Sequence, residues 1–552
     1  MARRIRWQIL IAVVSSTLVL ALMSYLAITT AAIQRPVEGG EYAEGLLDTP
    51  EQLNPLVADA ANDLAGADIQ ALIFDGLMRL GPTGLPEPAL AQGWQVDETG
   101  TVYTFFLRDG VTWHDGTPVT IDDVLFTIQA IQGPAFTGNP SLGTVWRNVL
   151  VEKIDNRTIL CRLSGPFAPF LEYATFPILP AHLLANLPPE QWSTSAFARQ
   201  PIGSGPYQLV ELTSERALLR ANTSYYRGQP FIQSIELRFY PQAEAAIGDL
   251  ARGTIQGLSY TSASSLRDFS LPQTITRRSA ALDGYTILSF NLREAPLNDP
   301  ALRRALALGL DRQALIDAVF GGQANLIDTP ILPQWWLAAP DVGIPLPNPA
   351  RAESLLDDLG YPRGEGGARS LNFTILTDNA AERVATAEEI ARQWGSLGIE
   401  VQVEQLEPAL LQERLANHQF SLAIHAWQRL GGDPDIYELW HSEQAEQGRN
   451  YAGLNDPVID ELITTARVTT EQDQRAAAYA AFQRRWVELM PSIPLYQPLL
   501  FYTMTTELGG VTVDQPDPDS GGAPLLAGRE SRFRDVIRWF LQSSREIQGD
   551  LR

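Results

Sequence analysis

Residues Ser370–Trp427 read SLNFTILTDNAAERVATAEEIARQWGSLGIEVQVEQLEPALLQERLANHQFSLAIHAW. Three segments in this stretch alternate apolar and polar residues: Ser370–Leu376, with Leu371, Phe373 and Ile375 on one face, then Ile399–Leu406 and Phe420–Trp427. That period predicts strands. The residues between them have a helical period. Val384, Ala387, Ala391 and Trp394 predict a helix over 380–397, stopped by Gly398, and a second helix is predicted over 408–417. The order β-α-β-α-β predicts an α/β domain on a parallel or mixed sheet.

Ligands of such sheets lie beyond the carboxyl ends of the strands. The segment there is WQRLGGDPD, Trp427–Asp435. A bulky aromatic beside glycines at a strand end suits a pocket wall, so Trp427 is the leading candidate contact. Gln428, Arg429 and Leu430 follow it, and Arg429 offers a planar fork for an anionic group. His425, on the same strand face as Trp427, reads first as a packed or hydrogen-bonded residue and second as a contact. Asp433 reads first as part of an Asp-Pro-Asp turn and helix start.

The chain has 552 residues, too many for one core, and two or three domains are expected. Its formal charge of −23 argues against a nucleic-acid partner. The single cysteine, Cys161, excludes an internal disulfide and a cysteine-based zinc site, and it falls on the apolar face of a short strand. The five histidines lack ligand spacing, so no metal or cofactor is expected. Zinc-protease, phosphate-loop and nucleophile-elbow motifs are absent from the sequence.

A second stretch, FFLRDGVTWHDGTPVTIDDVLF (Phe105–Phe126), gathers His114, Asp115, Asp122 and Asp123 and invites a catalytic reading. Local chemistry accounts for them first. Asp109-Gly110 and Asp115-Gly116 are turn dipeptides flanking a short VTWH strand. Thr120 and Asp123 form a capping-box variant, and Asp122 and Asp123 sit at the positive end of the helix they start.

At the N-terminus, Arg3, Arg4 and Arg6 precede an apolar run from Trp7 to Ile33. Basic residues stay on the cytoplasmic side, so the body of the chain is expected to be exported. The run is longer than a signal-peptide core and long enough to span a bilayer. Residues 1–34 are read as a retained anchor in preference to a cleaved signal, with Ala32 as the alternative cleavage point. Residues 35–45 are read as a flexible tether.

Further markers follow in order. They are LNP (Leu53–Pro55), the region Leu72–Thr127 around the second stretch, PIGSGPYQLVE (Pro201–Glu211) and LSFNLREAPLNDPALRRALALGLDRQALI (Leu288–Ile316). AESLLDDLGY (Ala352–Tyr361), NYAGLNDPVIDELI (Asn450–Ile463), MPSIPLYQP (Met490–Pro498) and SRFRDVIRWF (Ser531–Phe540) complete the series. In this order they resemble the extracellular solute-binding proteins of ABC transporters, family 5, the oligopeptide, dipeptide and nickel-chelate type.

The resemblance implies a two-lobed periplasmic-binding-protein-like fold with a cleft, a subdomain inserted in the first lobe, and a monomeric receptor that delivers its ligand to an ABC permease. Mapped onto this chain, lobe I takes 46–69, 201–286 and 500–541, the insertion takes 70–200, lobe II takes 287–499, and 542–552 is a tail. Tyr285–Leu292 and Ile493–Thr503 would be the crossovers and hinge. Asn54, in the LNP marker, joins the candidate contacts.

The resemblance also implies an aspartate three residues after the loop tryptophan that holds a peptide's amino terminus. Here that position is Leu430. Free peptides are therefore expected to bind poorly, leaving an N-blocked peptide, a sugar, an opine-like or acidic compound, or a metal chelate. A membrane-tethered sensor or scaffold on the same fold is the alternative function. A hydrolase using Asp115 and Asp122 is disfavoured, because turns and a cap explain both. If the anchor is retained, peptides containing Arg3 will be recovered by mass spectrometry from the membrane fraction. A mature start near Ala32 in soluble protein would contradict it.

Overall fold

The computed structural model describes residues 7, 13–21, 23, 32–57, 63–260, 272–433, 435–515 and 524–547. Arg3, Arg4 and Arg6, most of the apolar run and residues 548–552 lie outside them. Two large mixed sheets organise the chain. One has eight strands in the spatial order Leu525–Leu526, Ile275–Leu282, Leu499–Thr505, Gly257–Tyr260, Glu41–Leu46, Ser234–Phe239, Arg216–Ala221 and Tyr207–Leu212. The other has five, in the order Glu400–Leu406, Asn372–Asp378, Leu422–Gln428, Gly284–Phe290 and Ser492–Tyr496. Between Ile73 and Tyr207 the chain builds two small sheets of its own: a hairpin, Met78–Leu80 with Pro86–Pro88, and a four-stranded antiparallel sheet that includes Val102–Leu107 and Thr158–Leu163. Cys161 is fully buried in the last of these strands.

The three strands predicted in 370–427 form, and they pair in parallel. The helices between them run Ala381–Ser396 and Pro408–Ala416. The five-stranded sheet is covered on both faces. On Leu422–Gln428, Leu422 and Ile424 enter one core with Phe290, Ile375, Trp394 and Ile493. Ala423 and Trp427 enter the other, with Tyr285, Trp440, Tyr451 and Trp486. Alternation along one strand thus feeds two cores.

The sheets are joined twice. Asp283 alone separates Ile275–Leu282 from Gly284–Phe290, and Gln497 with Pro498 separates Ser492–Tyr496 from Leu499–Thr505. Gly284–Phe290 lies wholly within one sheet, so the first crossing is Asp283, just before the expected Tyr285–Leu292, whereas the second, Gln497–Pro498, falls inside the expected Ile493–Thr503. The two crossings are adjacent: Leu282 N–H donates to Pro498 O at 3.0 Å, and the buried Gln497 side chain donates to Leu282 O at 2.9 Å.

The expected tether over 35–45 is corrected. Ala32–Val37 pairs with Gln542–Ile547, which also replaces the expected tail at 542–547. Glu41–Leu46 is an interior strand, parallel to both neighbours, with Tyr42 and Glu44 fully buried. An acidic residue can occupy that position because Arg532 reaches it from the other end of the chain. Arg532 Nε lies 2.8 Å from Glu44 Oε1, and Nη1 lies 2.5 Å from Asp68 Oδ1. Arg529 adds a second contact to Asp68 at 2.8 Å, and the Tyr42 and Tyr502 hydroxyls donate to Glu44 at 2.7 and 2.9 Å.

The His114 stretch folds through its polar groups. His114 Nε2 lies 3.0 Å from Gly205 O and its Nδ1 accepts from Gly203 N–H at 3.2 Å, so the imidazole fastens the PIGSGP turn. Burial holds its pKa below the usual value. Asp123 accepts from Thr120 N–H at 2.8 Å and from Ala181 N–H at 2.8 Å. Asp115 accepts from Thr117 N–H at 2.9 Å and pairs with His182, and Asp122 pairs with Lys153 at 2.7 Å. The expected VTWH strand is reduced to a single bridge, Thr112 to Pro118.

Arg532→Met leaves Glu44 and Asp68 buried without their principal partner. It should cost about 3–5 kcal/mol in urea unfolding. Asp123→Ala removes a capping acceptor and should cost about 1–2 kcal/mol in the same assay.

Candidate functional site

The loop after Leu422–Gln428 is where the two lobes meet. Arg429 takes a left-handed backbone (φ 54°) and Gly431 another (φ 85°), which folds the chain back over its own strand end. Arg429 N–H donates to Asp283 O at 2.7 Å, and Gly431 N–H donates to Asp283 Oδ2 at 2.5 Å. The first crossing therefore holds the loop from behind.

Lobe I holds it from the front. Glu172, from the inserted subdomain, accepts Asp433 N–H on Oε1 at 2.7 Å. Arg429 makes a two-pronged contact with Glu530 at 2.6 and 3.0 Å. Burial works against the Arg429 charge, and Glu530 outweighs it, so the guanidinium pKa is raised. Ser141 Oγ donates to Glu438 at 3.2 Å, and the Arg467 guanidinium lies 5.0 Å from the Phe167 ring centroid. A Cβ on Gly432 would fall within the backbone of Gly84, and one on Gly431 would strike the Glu172 carboxylate. These glycines let two protein surfaces touch.

Five of the seven predicted contacts are brought together here, in varied roles. Trp427 is 6% exposed, stacked on Tyr451 at 5.2 Å, with His425 edge-on at 4.9 Å and the Arg449 guanidinium 5.4 Å from its ring centroid. It is a buried member of an aromatic cluster and not an open wall. Its indole Nε1 is buried with no hydrogen-bond partner among the described residues. His425 lies 2.8 Å from Ser289 Oγ. Burial first, and then the Arg383 charge, push its pKa down to about 3, so it is a neutral packed residue, the first of its two readings.

The Arg429 guanidinium, expected as the charge for an anionic ligand, is paired with Glu530. Leu430 packs against the aromatic cluster. Asp433 forms a buried two-pronged pair with Arg475, and Asp435 pairs with Arg467 at 2.9 Å, so the Asp-Pro-Asp turn is structural at both carboxylates. Gln428 is exposed. Asn54 lies apart from the loop: it is fully buried, with Oδ1 accepting Leu56 N–H at 3.1 Å.

The sequence reading missed Asp283, Glu172 and Glu530. Asp283-Gly284 looks like an ordinary turn dipeptide, and Glu172 and Glu530 fall in unremarkable polar positions. Asp283 is 2% exposed, and its Oδ1 has no hydrogen-bond partner among the described residues. Burial is the main cause that raises its pKa to about 8, against the Gly431 N–H and the Arg429 charge. Glu172 is raised well above the carboxylate range, by burial and then by the Asp433 charge.

Two hollows, of about 470 and 600 Å³, open elsewhere, one beside Leu56, Phe136 and Trp192 and the other beside Asp48, Glu215 and Tyr240. Neither is lined by the 427–435 loop, and the buried unpartnered polar atoms at Asp283 and Trp427 make the loop the stronger candidate. Groups of acidic, histidine or cysteine side chains able to hold a metal are absent among the described residues.

Comparison with known proteins gives one family. Residues 86–447 match the model described as bacterial extracellular solute-binding proteins, family 5 middle. The oligopeptide-binding protein AppA of Bacillus subtilis is 26% identical over 495 residues, covering 86% of this chain and 89% of AppA. The di/tripeptide-binding protein 2 of Pseudomonas aeruginosa is 30% identical over 455 residues, covering 77% of this chain and 83% of that protein. The crystal structure of the ABC transporter substrate-binding protein CtaP of Listeria monocytogenes shares the fold, with a TM-score of 0.79 at 24% identity, over 91% of this chain and 99% of CtaP. Two mixed sheets joined by two short crossings, with an insertion in the first lobe, carry a chain that belongs to the bacterial extracellular solute-binding proteins, family 5.

Proposed function

We propose that this protein is an extracytoplasmic receptor that captures peptides between its lobes and presents them, closed, to an ABC permease. It is a monomeric binding protein with no chemistry of its own. The observation that carries this reading is the loop at 427–433, which meets the other lobe through Glu172, Glu530 and the backbone of Gly84 while two short crossings leave the lobes otherwise unlinked along the chain. Such a joint supports hinge closure over a ligand. Relatives named for oligopeptides and for di- and tripeptides support peptides as the ligand class.

The receptor is held at the outer face of the membrane by its N-terminal segment. Val13, Val14, Leu18, Val19, Leu20 and Met23 are all more than half exposed, which suits an apolar surface buried in lipid. No helix among the described residues is long and apolar enough to cross a membrane, and most of the segment lies outside them.

Two outcomes are expected. When the protein is mixed with a casein digest, separated by gel filtration and denatured, mass spectrometry should find peptides carried with it. An empty protein fraction would overturn the peptide reading. Gly432→Ala puts a methyl group against the Gly84 backbone at the contact between the lobes. It should weaken peptide retention at least tenfold. Unchanged retention would show that the loop does not meet lobe I in the bound state.

A further inference from the structure

We propose that the paired strands Ala32–Val37 and Gln542–Ile547 are a stiff stalk that seats lobe I on the lipid surface at a fixed height and attitude. Lobe I is then the stationary lobe, and lobe II is the one that moves on closure. The inference rests on the reading that the N-terminal segment holds the receptor at the membrane, and it adds how the receptor is held.

Three observations carry it. The first is continuity. The apolar run ends at Ile33, and Ile33 is itself paired, opposite Glu546, with Ala32 opposite Ile547 before it. The ladder continues to Val37 opposite Gln542. The run therefore passes into a hydrogen-bonded ribbon with no unpaired spacer between them. Reach does not distinguish this ribbon from a flexible tether. Six paired residues extend about 20 Å, and a flexible linker over 35–45 would have an r.m.s. length of about 17–20 Å. Direction does distinguish them. A flexible linker samples every direction, whereas a ribbon keeps the angle set at its base.

The second observation is that base. An isolated pair of short strands is marginally stable in water, so the ribbon needs support from lobe I. Both strands have it. On the N-terminal side, Gly39 N–H donates to Phe231 O at 2.7 Å, Gln233 N–H donates to Gly40 O at 3.1 Å, and Gln229 Nε2 donates to Glu38 at 3.1 Å. On the C-terminal side, Gly509 and Phe540 exchange two backbone hydrogen bonds at 2.9 and 3.1 Å, and the fully buried Trp539 lies edge-on to Tyr42 at 5.8 Å.

Gly39 and Gly40 both have positive φ, 137° and 91°, and they turn the chain from the ribbon into the interior strand Glu41–Leu46. A Cβ on Gly39 would lie 3.1 Å from the Gln542 side chain, and one on Gly40 would lie 3.3 Å from Leu541. The two strands thus leave the lobe side by side. Farther in, Arg532 joins Glu44 and Asp68, so the segments that carry the two strands are held together before the ribbon begins. Pairing beyond that point closes little further loop and loses little further entropy.

The third observation is where the stalk joins. Ala32–Val37 leads into an interior strand of the eight-stranded sheet, and Gln542–Ile547 follows the segment that carries Arg532 and Trp539. Both belong to lobe I. Lobe II is reached only through Asp283 and through Gln497 with Pro498. A support fixed to lobe I leaves lobe II free to swing about those crossings.

The test uses the full chain in lipid vesicles that carry an acceptor dye on their headgroups. A donor dye is placed at Glu215→Cys on lobe I or at Glu404→Cys on lobe II, both exposed positions, with the native Cys161 fully buried. Time-resolved energy transfer gives the distribution of heights above the lipid. A variant ending at Leu541 lacks the second strand and keeps Trp539. The wild-type lobe I distribution should be at least twofold narrower than that of the variant. Its mean should hold when a casein digest that the protein retains is added, while the lobe II mean shifts. Equal widths in the wild type and the variant, with both proteins carried up by floating vesicles, overturn the stalk and leave the anchor standing. A lobe I height that shifts as far as the lobe II height also overturns it. Protein that starts near Ala32 and stays behind when the vesicles float overturns anchor and stalk together. If the shortened variant fails to fold, hydrogen exchange of the vesicle-bound wild type decides the matter. Amides of 32–37 and 542–547 should exchange at least tenfold more slowly than those of a free chain, and exchange at the free-chain rate overturns the inference.

Discussion

Everything in this molecule turns on two short crossings. One residue, Asp283, and one pair, Gln497 and Pro498, are all that link the eight-stranded sheet to the five-stranded sheet. The crossings are hydrogen-bonded to each other, so the joint is a narrow two-stranded ribbon. The Gln497 side chain meets Leu282 O, Gln334 and Asn325, which fixes the ribbon without adding a third covalent connection. A two-stranded ribbon bends and twists more readily than a wide sheet packed on both faces, so motion concentrates there. The same residue that makes the first crossing also holds the loop that touches the opposite lobe. Joint and interlobe loop are thus one structural unit.

Lobe I keeps its shape by a different device. Glu44, Asp68 and Arg532 are all fully buried, and they come from an N-terminal strand, the following helix and the C-terminal segment. Burying these charges carries a desolvation cost that their mutual attraction offsets only in good geometry. The arrangement ties both acids to a single guanidinium from the C-terminal segment. It closes the lobe around residues distant in sequence and leaves the joint as the soft element. Lobe II, by contrast, is held by two apolar clusters on the faces of one sheet.

Legibility in the sequence followed the range of the interactions. The parallel strands of 370–427 show in local alternation, because packing on both faces repeats every second residue. Asp115 and Asp123 are legible as a turn and a cap because Thr117 and Thr120 lie two and three residues away, whereas the contacts of His114 to Gly203 and Gly205, of Asp115 to His182 and of Asp123 to Ala181 are long-range. The residues 35–45 were misread as a tether because Gly39, Gly40 and three glutamates look like a linker when Arg532 is out of view. The family was visible in the order of its markers. At the candidate site, the sequence points to Trp427 and its loop but gives no sign of the contacts that Arg429 and Gly432 make. Each is set by a residue of the other lobe, Glu530 and Gly84, that no local pattern announces. Asp283 was invisible for the same reason.

The central claim is that two bodies close about this joint when a ligand is held between them. Spin labels at Glu152→Cys, on the inserted subdomain, and Glu404→Cys, on the edge strand of lobe II, report it directly, since both positions are exposed and the native Cys161 is fully buried. Pulsed electron–electron distance measurements with and without a retained peptide should show the distribution move to shorter distance and become narrower as peptide is added. The same distribution with and without peptide, under conditions in which the peptide is shown to be bound, would contradict the account.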